Sequence, residues 1–248
     1  MKKISLLMIL VCLFLIGCKK QELEREEEKD KSYQDLKEED FDVSKYELEE
    51  IPYVFVEKLS RLDNYTKHTV GNTVATKIIS YNQEIDNVYT ADNNSKHLLT
   101  KSTSSLVKVY HEAYFKDDII EYKEKEKDEF IEISYDDYLA MYGYLPYGYN
   151  LEGFDLSKDS IIEISKVEDK YHLVLNGEIG SNNVKIQMKK FGNLKDYPVF
   201  YKVEMDIKMK DDFSPIEIHF YAEYEVPLAL LGKTKCVQDY IVTYTINE

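Results

Sequence analysis

Between residues 199 and 226 the chain keeps a period of two. Val199, Tyr201, Val203, Met205, Ile207 and Met209 alternate with Phe200, Lys202, Glu204, Asp206, Lys208 and Lys210. Asp211-Asp212-Phe213-Ser214-Pro215 reverses the chain, and Ile216, Ile218, Phe220, Ala222, Tyr224 and Val226 then alternate with Glu217, His219, Tyr221, Glu223 and Glu225. Successive side chains of a strand leave on opposite faces, so this spacing predicts two long antiparallel strands in a sheet that is apolar on one side and wet on the other. Tyr240, Val242, Tyr244 and Ile246 repeat the pattern near the C-terminus. Such a sheet must bury its apolar face against something.

The rest of the chain offers little helix to do so. Pro52 suits a first helical turn, and Ile51, Phe55, Leu59 and Leu62 form one apolar stripe, which predicts a helix over residues 52–63. A second helix is expected from Ser134, which caps it with Asp137 three residues on; Tyr138, Leu139, Met141 and Tyr142 are its bulky members, and Gly143 suits its end. Residues 184–191 fit a strand through Val184, Ile186 and Met188, or a helix through Val184, Met188 and Phe191. Strands are expected over residues 70–81, 85–90, 105–115, 119–122, 129–133, 160–165 and 171–175, with Asp92-Asn93-Asn94-Ser95, Lys116-Asp117-Asp118 and Asn176-Gly177 as turns. The fold class that follows is α+β, mostly antiparallel β: one long sheet with two or three short helices over its apolar face.

The N-terminus has a different character. Lys2 and Lys3 precede an apolar run over residues 4–16, then Gly17 and Cys18. A basic start, a short apolar middle and a small residue at the cut make a secretory signal, and the run is too short for the ~20 apolar residues of a membrane-spanning helix. Leu15-Ile16-Gly17-Cys18 resembles the lipobox of bacterial lipoprotein precursors. That resemblance implies cleavage before Cys18, a diacylglyceryl thioether on its sulfur, acylation of the new amino terminus, and anchoring at the extracytoplasmic face of the cell membrane. Residues 18–45 read as an acidic flexible tether, because Glu22, Glu24, Glu26, Glu27, Glu28, Asp30, Glu38, Glu39 and Asp40 dominate a stretch too poor in apolar residues to offset its ordering entropy. Residues 46–248 read as a single β-rich globular domain.

Of the three cysteines, Cys12 leaves with the signal and Cys18 is the lipid site, so Cys236 has no partner for an intrachain disulfide. The net charge is −15, and loss of Lys2 and Lys3 makes it more negative. Such a charge repels phosphates, which argues against nucleic acid as a partner. The five histidines form no metal-ligand spacing and no nucleophile elbow occurs. The chain therefore reads as noncatalytic, without cofactor or metal.

An N-terminal helix, long antiparallel strands with tight turns, a midchain helix and further strands, all behind a lipobox, resemble the LolA-like lipoprotein superfamily. The resemblance implies an incomplete β-barrel with helices on its concave side and a hydrophobic ligand, such as a lipid, held between sheet and helices. Val203, Met205, Ile207, Ile218 and Phe220 would line such a site, and Tyr138, Met141 and Tyr142 would cover it. Two alternatives stay open. Those residues simply pack together as a filled core, or the chain is a surface docking module for a protein or glycan, with Tyr144, Tyr147 and Tyr149 as its contact loop.

Overall fold

A computed structural model describes Tyr33 and residues 36–247, apart from 78–79, 93–94, 105–107, 117, 143–153, 155, 192–193, 195 and 229–231. The signal segment, Cys18, most of the tether, and Tyr144, Tyr147 and Tyr149 lie outside the described residues.

The strands are β1 (Tyr65–Thr76), β2 (Ser80–Ala91), β3 (Lys96–Ser104), β4 (Lys108–Phe115), β5 (Ile120–Lys123), β6 (Ile131–Ile133), β7 (Ile161–Val167), β8 (Lys170–Leu175), β9 (Val199–Met209), β10 (Pro215–Leu228) and β11 (Gly232–Ile246). They form one 11-stranded antiparallel sheet in the order β6-β5-β4-β3-β2-β1-β11-β10-β9-β8-β7. The sheet is open, with β6 and β7 as its edges, and has the form of an incomplete barrel. The first and last long strands meet at its centre, where β1 pairs with β11 from Tyr65↔Ile246 to Thr76↔Lys235. At Gly71 the two come closer than a side chain allows: a Cβ there would lie 2.3 Å from the Asp239 carbonyl oxygen and 2.6 Å from the Tyr240 Cα.

Among the described residues three α-helices accompany the sheet: α1 (Ile51–Ser60), α2 (Tyr135–Tyr142) and α3 (Asn182–Phe191). α1 carries Pro52 in its first turn and buries Ile51, Phe55 and Leu59 of the expected stripe, together with Val54, but it ends at Ser60, short of Leu62 and residue 63. Complete burial of a side chain such as Phe55 stabilises by roughly 1.5–3 kcal/mol. The Ser134 hydroxyl accepts from the Asp137 backbone N–H at 3.1 Å, which is the expected cap of α2. The ambiguous segment 184–191 is helical, and its helical face decides it: Val184 and Met188 are buried while Ile186 is exposed.

The sequence misplaced some strands. Residues 70–81 do not form one strand, because β1 ends at Thr76 and β2 begins at Ser80. β3 was not expected at all, and β4 starts at Lys108 rather than at 105. In β9 the expected alternation breaks at a bulge: Lys202 pairs with Glu223 and Phe200 with Tyr224, so Tyr201 is passed over. One extra residue reverses the phase of everything before it. Phe200 is buried, stacked on Tyr224 at 4.8 Å, while Val199 and Tyr201 are 46% and 61% exposed. Packing also extends upstream of residue 46. Phe41 is buried, meets Phe213 at a ring distance of 6.4 Å and lies under the Lys58 ammonium. Tyr33, Leu36 and Val43 pack on the same cluster, so the acidic stretch is tied down over its final residues.

Candidate functional site

Two sections of the inner face differ in chemistry. On β8, β9 and β10 it is apolar and filled. Leu173, Val203, Met205, Ile207, Ile218 and Phe220 are all buried. Phe154 lies on this section, with ring centroids 4.7 Å from Phe220 and 5.6 Å from Phe200, and Phe220 stacks on Tyr240 at 5.3 Å. The five residues expected to line a ligand site are thus brought together on one face, packed against their own domain.

The expected cover lies elsewhere. Tyr138 is buried against the other end of the sheet, with Phe115 at 5.5 Å, His111 at 5.8 Å and Tyr122 at 6.3 Å between rings. Met141 is 46% exposed. Tyr142 belongs to α2, and its side chain is outside the described residues. The connection that runs from edge strand β6 to edge strand β7 is therefore anchored twice, by Tyr138 at β4 and β5 and by Phe154 at β9 and β10. In strand order β3, β2, β1 and β11 lie between these anchors.

On those intervening strands polar residues share the inner face with apolar ones such as Ile85, Tyr89 and Leu98. Thr73, Gln83, Asn87, Thr100 and Gln238 are buried, none more than 7% exposed. Register places them in rows: Gln238 opposite Thr73 and Thr73 opposite Gln83, then Thr69 opposite Asn87 and Asn87 opposite Thr100. Gln83 Nε2 donates to Ser102 Oγ at 2.6 Å, and Ser102 Oγ donates to the Glu84 carbonyl at 2.9 Å. These bonds fix the Gln83 amide and turn its oxygen away. That oxygen, together with Thr73 Oγ1, Asn87 Oδ1, Thr100 Oγ1 and Gln238 Nε2, is buried without a hydrogen-bond partner. An unsatisfied buried polar atom costs about 1–3 kcal/mol, so several on one face are not expected of an ordinary core.

His111 continues the row beyond Thr100. Its Nε2 meets the Tyr138 hydroxyl at 2.7 Å, and burial pushes its pKa down from 6.5 to about 4, so it is neutral at neutral pH. Cys236, two residues from Gln238, is buried, and burial pushes its thiol up to about 12. A thiol so far from ionising is inert at neutral pH.

The outer face carries a charged ladder. His172 Nδ1 and His219 Nδ1 meet the two oxygens of Asp206 at 2.7 and 3.4 Å, and His219 Nε2 meets Asp239 at 2.8 Å. Burial acts to raise the Asp206 carboxyl, but the hydrogen bonds from His172 and His219 outweigh it and hold the pKa below the usual range. A cleft of about 190 Å³ lies here, lined by Lys202, Glu204, Asp206, His219 and Tyr221. Among the described residues no group of His, Cys, Asp and Glu side chains is arranged to hold a metal ion.

Sequence reasoning missed the polar rows because it looked for apolar residues inside. A different alternation was present: in β2 the charges Glu84 and Asp86 fall on one phase, and uncharged Gln83, Ile85, Asn87 and Tyr89 on the other. Separation of charged from uncharged residues would have found the inner face.

No family model and no curated protein matches the chain. Among solved structures, it is similar to a LolA superfamily protein from Nitrosomonas europaea at 11% identity and a TM-score of 0.29, over 79% of this chain and 93% of that one. It is similar to an S-type phycobiliprotein lyase from Guillardia theta at 7% identity and a TM-score of 0.28, over 79% and 94%. A β-barrel-like protein of unknown function from Brucella abortus gives 9% identity and a TM-score of 0.24, over 75% and 99%.

Proposed function

We propose that the protein is a noncatalytic lipoprotein, anchored through acylated Cys18 at the extracytoplasmic face of the cell membrane, that holds a hydrophobic ligand between its sheet and the segments covering it. The observation that carries the ligand reading is a mismatch of areas. Eleven strands at ~4.8 Å spacing make a sheet ~48 Å wide. Helices of 10, 8 and 10 residues are only ~12–15 Å long and ~10 Å across, and cover about a quarter of it. The remainder needs further cover, and buried Phe154 and Leu156, between β6 and β7 in the chain, supply part of it. On this reading the ligand supplies the rest of the cover.

The lipobox-like Leu15-Ile16-Gly17-Cys18 supports the anchor, and two acyl chains contribute ~0.8 kcal/mol per buried methylene, enough for stable attachment. A specific observation favours a second reading: the filled section under Phe154 suits a docking module with a closed core. Native mass spectrometry after detergent-free extraction separates the two. A co-purified lipid or other apolar molecule supports the binding reading; repeated absence of any ligand, with a fully packed interior, supports docking.

A further inference from the structure

We propose that the end of the sheet at which β7 and β9 begin is a membrane-contact surface: Ile162, Tyr197, Val199 and Tyr201 enter the headgroup layer of a lipid bilayer, and Lys189, Lys202 and Lys233 meet its phosphates. The proposal takes the lipid anchor from the reading above and is indifferent to the ligand. Its first ground is a pair of bulges. On β9 the extra residue is Tyr201, and on edge strand β7 it is Ile162, passed over between Ile161↔Leu175 and Glu163↔Val174. A bulge re-aims the side chain it carries. Both aim an apolar one at solvent: Ile162 and Tyr201, at 65% and 61%, are the most exposed large apolar side chains among the described residues. They stand at one end of the sheet, two strands or ~10 Å apart, because Val174 pairs with Glu163 on one side and with Glu204 on the other. Tyr197 and Val199, both half-exposed, adjoin Tyr201 in the chain.

The second ground is what surrounds these side chains. Lys189 Nζ, on α3, lies 4.0 Å from the centre of the Tyr197 ring. Lys202 follows Tyr201 and pairs with Glu204 at 2.9 Å, and Lys233 pairs with Glu225 at 3.2 Å. Glu225 above all, and the neighbouring Tyr201, hold the Lys233 pKa up. In both pairs the ammonium stands outermost: the Lys202 and Lys233 side chains are 45% and 75% exposed, against 24% and 15% for Glu204 and Glu225. Exposed Glu163 and Asp196 set two carboxylates against three lysines, so a chain of net charge −15 presents a cationic outer layer here. Tyrosine beside lysine suits the depth of lipid headgroups, whereas protein interfaces are depleted in lysine. The bulge in β7 also blunts that edge against pairing with another chain. The third ground is reach. Phe41 packs on Phe213 between β9 and β10, at the far end of β9 from the patch. β9 has 11 residues and spans ~36 Å, while the 15 residues from Cys18 to Tyr33 reach up to ~50 Å. Anchor and patch therefore reach one bilayer, with the sheet lying along it.

The test uses the full acylated chain in phosphatidylcholine vesicles, with or without phosphatidylglycerol, whose acyl chains carry bromine as a quencher. The chain has no tryptophan, so Tyr201→Trp introduces a single reporter, and Tyr114→Trp on β4 supplies a control six strands away. Flotation with the vesicles reads the anchor, and fluorescence reads the contact. Emission from Tyr201→Trp is expected to shift to the blue and to be quenched by the brominated lipid, more strongly with phosphatidylglycerol, while that from Tyr114→Trp does neither. Added to the reporter, Lys202→Gln and Lys233→Gln should each lower the docked-to-undocked ratio on phosphatidylglycerol vesicles about fivefold. Ile162→Ser, at an exposed position, should lower it as well. Flotation without quenching at either composition overturns the proposal and leaves the anchor standing. Neither flotation nor quenching removes both. A blue shift that grows with protein concentration, without quenching, shows a second copy covering the patch and overturns the proposal. Equal quenching of the two reporters shows contact without a preferred end, and overturns it too.

Discussion

His111 gives the most quantitative handle on this interior. In the folded protein its pKa is pushed from 6.5 to about 4 by burial. Between those values the unfolded chain takes up a proton that the folded chain refuses. Stability associated with a neutral His111 is therefore fully present above pH 6.5 and is lost as pH falls toward 4. The difference, converted at ~1.4 kcal/mol per pH unit, comes to about 3 kcal/mol. For a domain of this size that corresponds to a Tm lower by roughly 6–12 °C. Glutamine at this position retains polar atoms near the Tyr138 hydroxyl but has no proton to gain. Thermal unfolding of wild type and His111→Gln at half-unit steps from pH 7 to pH 4 isolates the effect. Any constant cost of the substitution cancels in the slopes, and the low-lying carboxyls of Asp206 and Glu112 titrate in both proteins alike. The wild type should lose stability more steeply, with the gap opening below pH 6.5. Parallel profiles across the whole range would refute the argument that His111 is held neutral by burial.

Other expectations are as direct. Gly71→Ala should destabilise by about 1–3 kcal/mol, several degrees of Tm, because its new methyl group meets the Asp239 carbonyl and the Tyr240 backbone; unchanged stability would mean that β1 and β11 separate freely there. Cys236 should resist a maleimide in the native protein and react on unfolding, as its burial demands, and rapid native labelling would contradict that burial. Cys18→Ala should leave the precursor uncleaved or release the protein from the membrane fraction, whereas normal maturation and retention would remove the anchor from the account.

The legibility of this chain tracked how its strands treat polarity. β10 was readable because each inward residue from Ile218 to Val226 is apolar and every neighbour between them is polar or charged except Tyr221. β3 was invisible because Thr100 and Ser102 face inward, and the eye expects such residues outside. β1 and β2 blurred for the same reason, with Thr69, Thr73, Gln83 and Asn87 buried. The residues that make the inner face chemically unusual are the ones that disguised its strands. The bulge at Tyr201 was hidden differently: Val199 and Tyr201 extend the apolar phase in sequence, and only the pairing with Glu223 and Tyr224 shows that the phase has turned over. As for the site, the sequence located Val203, Met205, Ile207, Ile218 and Phe220 on one face but had no means of seeing Phe154 arrive on top of them, since that contact joins distant parts of the chain.

The central claim is that the protein holds a hydrophobic ligand between its sheet and the segments covering it. A crystal structure of the detergent-free protein at a resolution that shows single waters tests this most directly. The account predicts continuous density larger than water, from a co-purified apolar molecule, between the sheet and its covering segments. Side chains bonded to one another across a fully packed interior would contradict it.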